Sequence, residues 1–358
     1  MLKISHKEQL IMTTTSLHHL GSTLLSPSLS FLSQQVSQSV PKGNKVFFLA
    51  REGYWLQQAY QTYSAAKEEV DNSQYLLVSR AFLFKVGLSN PESYPISLKG
   101  EFKGTLYDLM RARFMLSNLS INEVFTEEEQ KQTVELPTDI SMVSLYLESR
   151  LEKLTQVTEE TRSTYFTYLT GIGFFEQETI HMVDLGYSGT IQKLITMLFN
   201  KNTVGHYLIA SNPGSSICNG HSMEMIGYLK EGVKLTEGYL PLDRSMFWES
   251  LLTAPVGQFQ DIRPSLLPDR EFDYYYGRKV ATQHNFHLLE QICEGALETL
   301  RCHAENDITF TKEEVELLYT SFVTKNGMLP KSSWPLFSID DDISSYGTVE
   351  PLAFFGLK

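Results

Sequence analysis

The chain has 358 residues, 42% of them hydrophobic and 20% charged, which is the composition of a folded protein long enough for one large domain with insertions or two smaller ones. With 30 Lys and Arg against 42 Asp and Glu, a net charge of −12, it lacks the clustered positive charge that a nucleic-acid binder or a polybasic membrane anchor needs. Three scattered cysteines, Cys218, Cys293 and Cys302, are too few for a disulfide framework, and no apolar run approaches the ~20 residues of a membrane span, so a reducing cytoplasm is the expected setting.

Residues 8–40 have helical spacing, interrupted at Ser26-Pro27 and stopped by Pro41-Lys42-Gly43-Asn44. The run KVFFLA at 45–50 has the length and aromatic content of a buried strand; it ends in Arg51-Glu52-Gly53, after which helical spacing resumes. YLLVSR at 75–80 is a second buried strand candidate. Residues 105–170 alternate helical patterns with a Glu-rich hinge at 123–136, which predicts a helical insertion, or hood, over about 85–175. Strand–loop–helix returns at 179–199 through Asp184 and a Gly-Tyr-Ser-Gly-Thr loop, and 204–210 is the next strand. Residues 271–325 are mainly helical and 326–358 loop-like. The expectation is an α/β fold with a parallel-sheet domain over 1–270, the hood inserted in it, and a helical C-terminal extension over 271–358.

Loops between the C-terminal end of a parallel strand and a helix N-terminus are where such sheets bind ligands. Free N–H groups and the helix dipole favour phosphate there. Two loops qualify. In Gly186-Tyr187-Ser188-Gly189-Thr190 the glycines permit close backbone approach, the hydroxyls add donors, and Asp184 at the strand tip can accept sugar hydroxyls or hold a divalent cation. In Arg51-Glu52-Gly53 a guanidinium can grip a phosphate with two bonds. Arg80 ends the second strand candidate. Taken alone, each loop also reads as a simple tight turn, and Arg80 as a surface arginine.

Other patterns fall short of a site. Gly186-Tyr187-Ser188-Gly189-Thr190 departs from the hydrolase elbow G-x-S-x-G at Thr190, although Asp243, Asp261 and His284 follow it, so a hydrolase centred on Ser188 stays open. Asp340-Asp341-Asp342 has the look of a phosphatase nucleophile but only sixteen residues follow it, and it reads as an acidic turn. Cys218 and His221 have metal-like spacing without a second pair. His18-His19 and Cys302-His303 lie in helical text, and TEEEQKQTVE reads as a solvated helix face. Neither a P-loop nor a dinucleotide fingerprint is present.

Four segments, KVFFLAREGYWLQQAY, YLLVSRAF, MVDLGYSGTIQKLI and FWESLLTAP, together resemble the phosphoribosyltransferase-like domain of bacterial capsule and O-antigen clusters. That domain is often fused to a haloacid-dehalogenase-type phosphatase and is similar to type I phosphoribosyltransferases. The resemblance spans roughly residues 15–260. It implies transfer of 5-phosphoribosyl from phosphoribosyl pyrophosphate to a sugar hydroxyl of a polysaccharide, which incorporates ribofuranose and releases pyrophosphate. It also implies Mg²⁺, a lipid-linked glycan acceptor, glycosyltransferase partners at the inner face of the membrane, and a separate phosphatase, since no phosphatase motif stands in this chain.

Carried over by position, Asp184 matches the acid that holds the ribose hydroxyls and the metal. Gly186, Tyr187, Ser188, Gly189 and Thr190 match the 5-phosphate loop; Arg51, Glu52 and Gly53 match the pyrophosphate loop, and Arg80 a basic residue beyond the next strand. The chain departs from the family pattern in having one acid where type I enzymes have two, since Val183 and Leu185 flank Asp184, and in a loop about one residue shorter. Tyr187 stands where purine-specific members carry an acid. An acceptor hydroxyl needs a carboxylate to take its proton; Glu52 is the first candidate and Glu249 the second. A non-catalytic scaffold in a polysaccharide assembly complex is the alternative outside enzymology.

Overall fold

The computed structural model describes residues 14–341 and 347–358. The first helix is present from residue 14, and its predicted start at 8–13 lies outside the described residues. It is not interrupted at Ser26-Pro27. A π-helical turn, Gly21–Leu25, leads directly into α1 (Ser26–Ser39), and this wider turn accommodates the donor that Pro27 lacks.

The next elements are β1 (Val46–Leu49), α2 (Gly53–Ala66), β2 (Ser73–Leu76) and α3 (Arg80–Gly87). The second strand thus lies two residues earlier than its apolar letters suggested. Arg80 begins a helix, capped by Ser79, whose hydroxyl accepts the Phe82 N–H at 3.1 Å. The insertion is not purely helical. It contains an antiparallel pair of strands, β3 (Phe102–Thr105) and β4 (Thr133–Leu136), with three short helices between them, before the long helix α4 (Leu151–Gly171). The Glu-rich stretch is therefore split: Thr126 caps a four-residue helix, and Thr133–Glu135 alternate out-in-out along β4 with Val134 buried.

The chain then returns to the main sheet with β5 (Thr179–Asp184), α5 (Thr190–Phe199), β6 (Asn202–Ala210), β7 (Gly214–Cys218) and β8 (His221–Glu231). Beyond it come α6 (Met246–Leu252), the hairpin of β9 (Phe259–Pro264) and β10 (Phe272–Tyr276), and helices α7 (Phe286–Glu305) and α8 (Lys312–Thr324). The strand order of the main sheet is β2-β1-β5-β6-β8-β7, with every pairing parallel except β7 on β8. This is an α/β fold built on a mostly parallel sheet.

Alternation along β1 shows how the sheet is covered. Val46 and Phe48 pack into a core formed with α1, α2, α7 and α8, while Phe47 and Leu49 pack into another with α3, α4 and α5. All four side chains are at most 2% exposed. Burial of that kind contributes roughly 1.5–3 kcal/mol per side chain, which is why a strand covered on both faces reads as a continuous apolar run. The C-terminal segment is part of this core: Leu289, Ile292, Ala296 and Leu300 of α7 are fully buried beside Leu17 and Leu24, and the nominal tail adds Leu336, Phe337 and Leu352. Residue 271, where the extension was expected to begin, lies at the start of the second strand of the β9–β10 hairpin. Among the described residues no helix is long and apolar enough to cross a membrane.

Candidate functional site

Counting only the parallel strands, the order runs second, first, third, fourth, fifth, so it reverses between β1 and β5. In open α/β sheets the crevice outside the strand ends at such a reversal is where ligands bind. The loop leaving β1 is Ala50-Arg51-Glu52, and the loop leaving β5 is Leu185 to Gly189. Both line one cleft of about 710 Å³, together with Arg80 from the start of α3. The three loops predicted from sequence therefore open on the same edge of the sheet, because β1, β2 and β5 are mutually parallel in register.

The β5 loop is shaped by its glycines and by Asp184. Gly189 takes a left-handed conformation, φ +71°, and turns the chain into α5, whose first residue is Thr190. A side chain at Gly189 would also lie 3.2 Å from the Met225 sulfur. Ser188 is exposed at the helix N-terminus, its Oγ 3.1 Å from the Thr190 Oγ1, and Asn212 Nδ2 donates to the Ser188 carbonyl at 3.2 Å. The Tyr187 carbonyl accepts the Ser211 N–H at 2.8 Å. Its ring turns away from the loop into the core, where the hydroxyl is buried without a hydrogen-bond partner and within electrostatic reach of Glu249. Tyr187 so contributes backbone to the loop and its ring to the wall behind it.

Asp184, only 9% exposed, has its acidity weakened to about 6, chiefly because burial penalises its charge and secondly because Glu52 repels it; N–H groups of Gly186 and Leu185 and the Arg80 charge work in the opposite direction. Glu249, on α6, also lines the cleft and is pushed up to about 7, again by burial first and Glu52 second, with Arg51 and Arg80 opposing. Ser245 Oγ lies 3.5 Å from its Oε1. Glu52 is the centre of this acidic group. Its Oε1 accepts a hydrogen bond from Arg51 Nε at 3.1 Å, and its proximity raises the Arg51 pKa. Glu52 thereby orients Arg51. The peptide bond joining Ala50 to Arg51 is cis. Arg80 is exposed and enters no ion pair or hydrogen bond among the described residues.

One residue of the predicted set is placed elsewhere. Gly53 is buried at the start of α2 and does not line the cleft; a Cβ there would stand 2.7 Å from the Phe48 carbonyl carbon, so the glycine lets helix and strand backbones touch. The hood also differs from expectation. Of the hood, placed at about 85–175, Lys99 lines the cleft, but no residue of the helical stretch 105–170 does. The wall facing the strand ends comes instead from residues 254–283, with Gln258, Phe259 and Tyr276 on or beside the β9–β10 hairpin. The insertion supports that hairpin from behind, where Asp261 of β9 accepts hydrogen bonds from Thr161 of α4 at 2.8 Å and pairs with Lys85 of α3 at 2.8 Å. Sequence reasoning missed this wall, and with it Tyr75, Lys99 and Lys234, because nothing local in those segments marks them as neighbours of the β5 loop.

The hydrolase residues do not assemble around Ser188. Asp261 is held by Lys85 and Arg263, Asp243 accepts the Thr236 N–H at 2.7 Å, and neither these nor His284 lines the cleft. Cys218 and His221 face each other where β7 turns into β8. His303 lies 3.2 Å from Ser30 Oγ, and His18 pairs with Glu298 at 3.2 Å. Residues Ile339–Asp341 pair with Gly347–Val349, and Asp342 lies outside the described residues.

No family model and no curated protein matches this chain. Among the described residues no group of three or more His, Cys, Asp or Glu is placed to hold a metal ion by itself. A magnesium ion does not require one: it commonly takes one or two carboxylates and completes its shell with water and substrate phosphates. Asp184 fits that role by position, because it stands at the tip of β5 and lines the cleft between the Ser188–Thr190 turn and Arg51.

Proposed function

We propose that this chain is a phosphoribosyltransferase-type glycosyltransferase that moves 5-phosphoribosyl from phosphoribosyl pyrophosphate to a sugar hydroxyl of a bacterial polysaccharide. The observation that carries the reading is the convergence, at the sheet's reversal point, of a hydroxyl-bearing helix N-terminus, two arginines and a strand-end aspartate in one cleft. Phosphoribosyl pyrophosphate has phosphate at both ends and two hydroxyls between them. Its 5-phosphate suits the Ser188–Thr190 turn, its ribose hydroxyls suit Asp184, and its pyrophosphate suits Arg51 and the unpaired Arg80.

The bond from the anomeric carbon to pyrophosphate breaks, the electron pair leaves with pyrophosphate, and the acceptor oxygen forms the new bond. Positive charge that develops on the sugar and negative charge on the leaving group are stabilised by groups already in position. Asp184 would hold a magnesium ion, which would supply further neutralisation of the leaving group's charge. Glu249 takes the proton of the acceptor hydroxyl: with a pKa of about 7 it exchanges a proton near neutrality, whereas Glu52 is committed to Arg51. Completion of the ribofuranosyl unit then falls to a separate phosphatase, with the acceptor delivered on a lipid-linked glycan. The deciding experiment is incubation with phosphoribosyl pyrophosphate, Mg²⁺ and a set of glycan acceptors, followed by mass spectrometry. Gain of one phosphopentosyl unit on an acceptor, with release of pyrophosphate, is the expected result; unchanged acceptors and intact donor would favour the scaffold.

A further inference from the structure

The two halves of the cleft differ in chemistry. The half at the strand ends is charged, with Arg51, Arg80, Asp184 and the β5 turn. The facing wall is aromatic, formed by Val256, Gln258 and Tyr276 with Arg278 beside them, and Tyr75 of β2 stands between it and the charged half. We infer that this aromatic wall is the acceptor subsite, that it binds a pyranose by stacking on Tyr276 and hydrogen bonding to Tyr75 and Gln258, and that the binding surface continues outward along β10 for an oligosaccharide. This rests on the transferase reading of the same cleft.

Three observations support it. First, the hydroxyls of Tyr75 and Tyr276 and the side-chain amide of Gln258 have no hydrogen-bond partner among the described residues, although all three line the cleft. Burial raises the pKa of Tyr75 strongly, so its hydroxyl keeps its proton and can donate. These three side chains are half-buried and none of their polar ends is tied to another part of the protein, so they are available to a ligand that both donates and accepts. Sugar hydroxyls do both. Second, the wall is rigid. A Cβ on Gly257 would stand 2.2 Å from the Gly277 carbonyl oxygen, and the Gly277 N–H donates to the Gln258 carbonyl at 2.7 Å, so the two strands close tightly where Gln258 and Tyr276 emerge. Tyr276 also packs edge-on against Phe259 at 6.1 Å, and Tyr54 packs edge-on against Tyr75 at the same distance. Third, the aromatic surface does not stop at the cleft. Beyond Tyr276 and a break in the β9–β10 register, Tyr274 is 41% exposed with its ring edge-on to Tyr168 of α4, and Tyr275 is 49% exposed. A single flat base would need one ring; a row of tyrosines leading out of the cleft suits a chain of sugars, whose C–H faces lie on aromatic rings while their edges hydrogen bond.

The test uses the full chain in two independent arms. In the first, saturation-transfer NMR is run with methyl pyranosides of glucose, galactose, mannose, rhamnose and N-acetylglucosamine, a trisaccharide of whichever binds, and adenine as a flat-base control. At least one pyranoside is expected to receive saturation from the wild type. The signal should fall at least fivefold in Tyr276→Ala and in Gln258→Ala, and partly recover in Tyr276→Phe, which keeps the ring. The trisaccharide, but not the monosaccharide, should lose affinity in Tyr274→Ala. In the second arm, calorimetry measures phosphoribosyl pyrophosphate with Mg²⁺ on wild type and Tyr276→Ala. Sugar binding indifferent to Tyr276 and Gln258, adenine binding in place of every sugar, or no sugar binding at all would overturn the acceptor wall. Sugar binding that depends on Tyr276 without any donor binding would leave the wall standing and remove the transferase.

Discussion

Asp184 and Glu249 are carboxylates that the fold holds at a cost. Asp184 moves from 3.8 to about 6, so below pH 3.8, where both forms are protonated, its burial carries no charge penalty, and between those values the folded form binds more protons than the unfolded one. The relative stability that this proton confers is lost as pH rises through about 6, and Glu249 extends the loss to about 7. At pH 8 both buried charges are fully destabilising, Asp184 by about 3 kcal/mol at 1.36 kcal/mol per pKa unit. The thermal midpoint of the ligand-free protein is therefore expected to fall between pH 5 and pH 8. Asp184→Asn should raise it at pH 8 while lowering transfer by about tenfold to a hundredfold, the weight of one charged hydrogen bond. A mutant as active as wild type would remove Asp184 from the chemistry. Glu249→Gln should lower turnover by about 10²–10⁴. In the wild type, turnover should rise with pH through about 7, and this limb should be absent in Glu249→Gln. If the limb persists in the variant, another group takes the proton.

At the scale of elements, the cleft depends on backbone contacts and a buried charge network. Gly53 lies so close to Phe48 that Gly53→Ala would force α2 away from β1, and overpacking of this kind costs about 1–3 kcal/mol. Since Gly53 does not line the cleft, chemical denaturation should report that loss with donor affinity little changed; the reverse pattern would return Gly53 to the binding loop. The hairpin wall hangs on Lys85, Asp261, Arg263 and Glu160, which connect α3, β9 and α4. Lys85 is 7% exposed, and burial lowers its pKa against the pull of Asp261, while Asp261, which burial alone would raise, is held below its ordinary range by Lys85 and Arg263. Lys85→Met would strand part of that charge, at about 3 kcal/mol or more, and Lys85→Met combined with Asp261→Leu should recover much of it. Urea titrations of the three proteins give the comparison, and equal stability of single and double variants would show that the pair is not coupled.

The whole molecule closes where its two ends meet. Gly21 in the π-helical turn and Gly295 in α7 bring two backbones into contact: a Cβ at Gly295 would stand 2.2 Å from the His18 carbonyl oxygen, and Ser22 Oγ donates to the Gly295 carbonyl at 3.1 Å. Removing residues 286–358 would expose Leu17, Leu20, Leu24 and Leu25, all at most 2% exposed. The shortened chain is expected to be insoluble, and a soluble product with the native far-ultraviolet spectrum would show instead that the sheet folds without α7 and α8. What the sequence determined by itself was the local content of the fold: which apolar runs are strands, where Asp184 and the glycine turn stand, and that Arg51 leaves a strand end. Those features are carried by neighbours along the chain, through strand-length burial and turn chemistry. The β3–β4 pair was hidden because two four-residue strands in charged text carry too short an alternation to outweigh helical spacing around them. The aromatic wall of the cleft, the commitment of Glu52 to Arg51 and the displacement of Gly53 from the site were decided only in the tertiary structure. The wall depends on contacts between segments far apart in sequence, formed when the β9–β10 hairpin, braced by α4, folds over the edge of the parallel sheet; the Arg51–Glu52 bond and the close approach of Gly53 to Phe48 lie within one strand–loop–helix unit, and the three-dimensional path of that turn sets them.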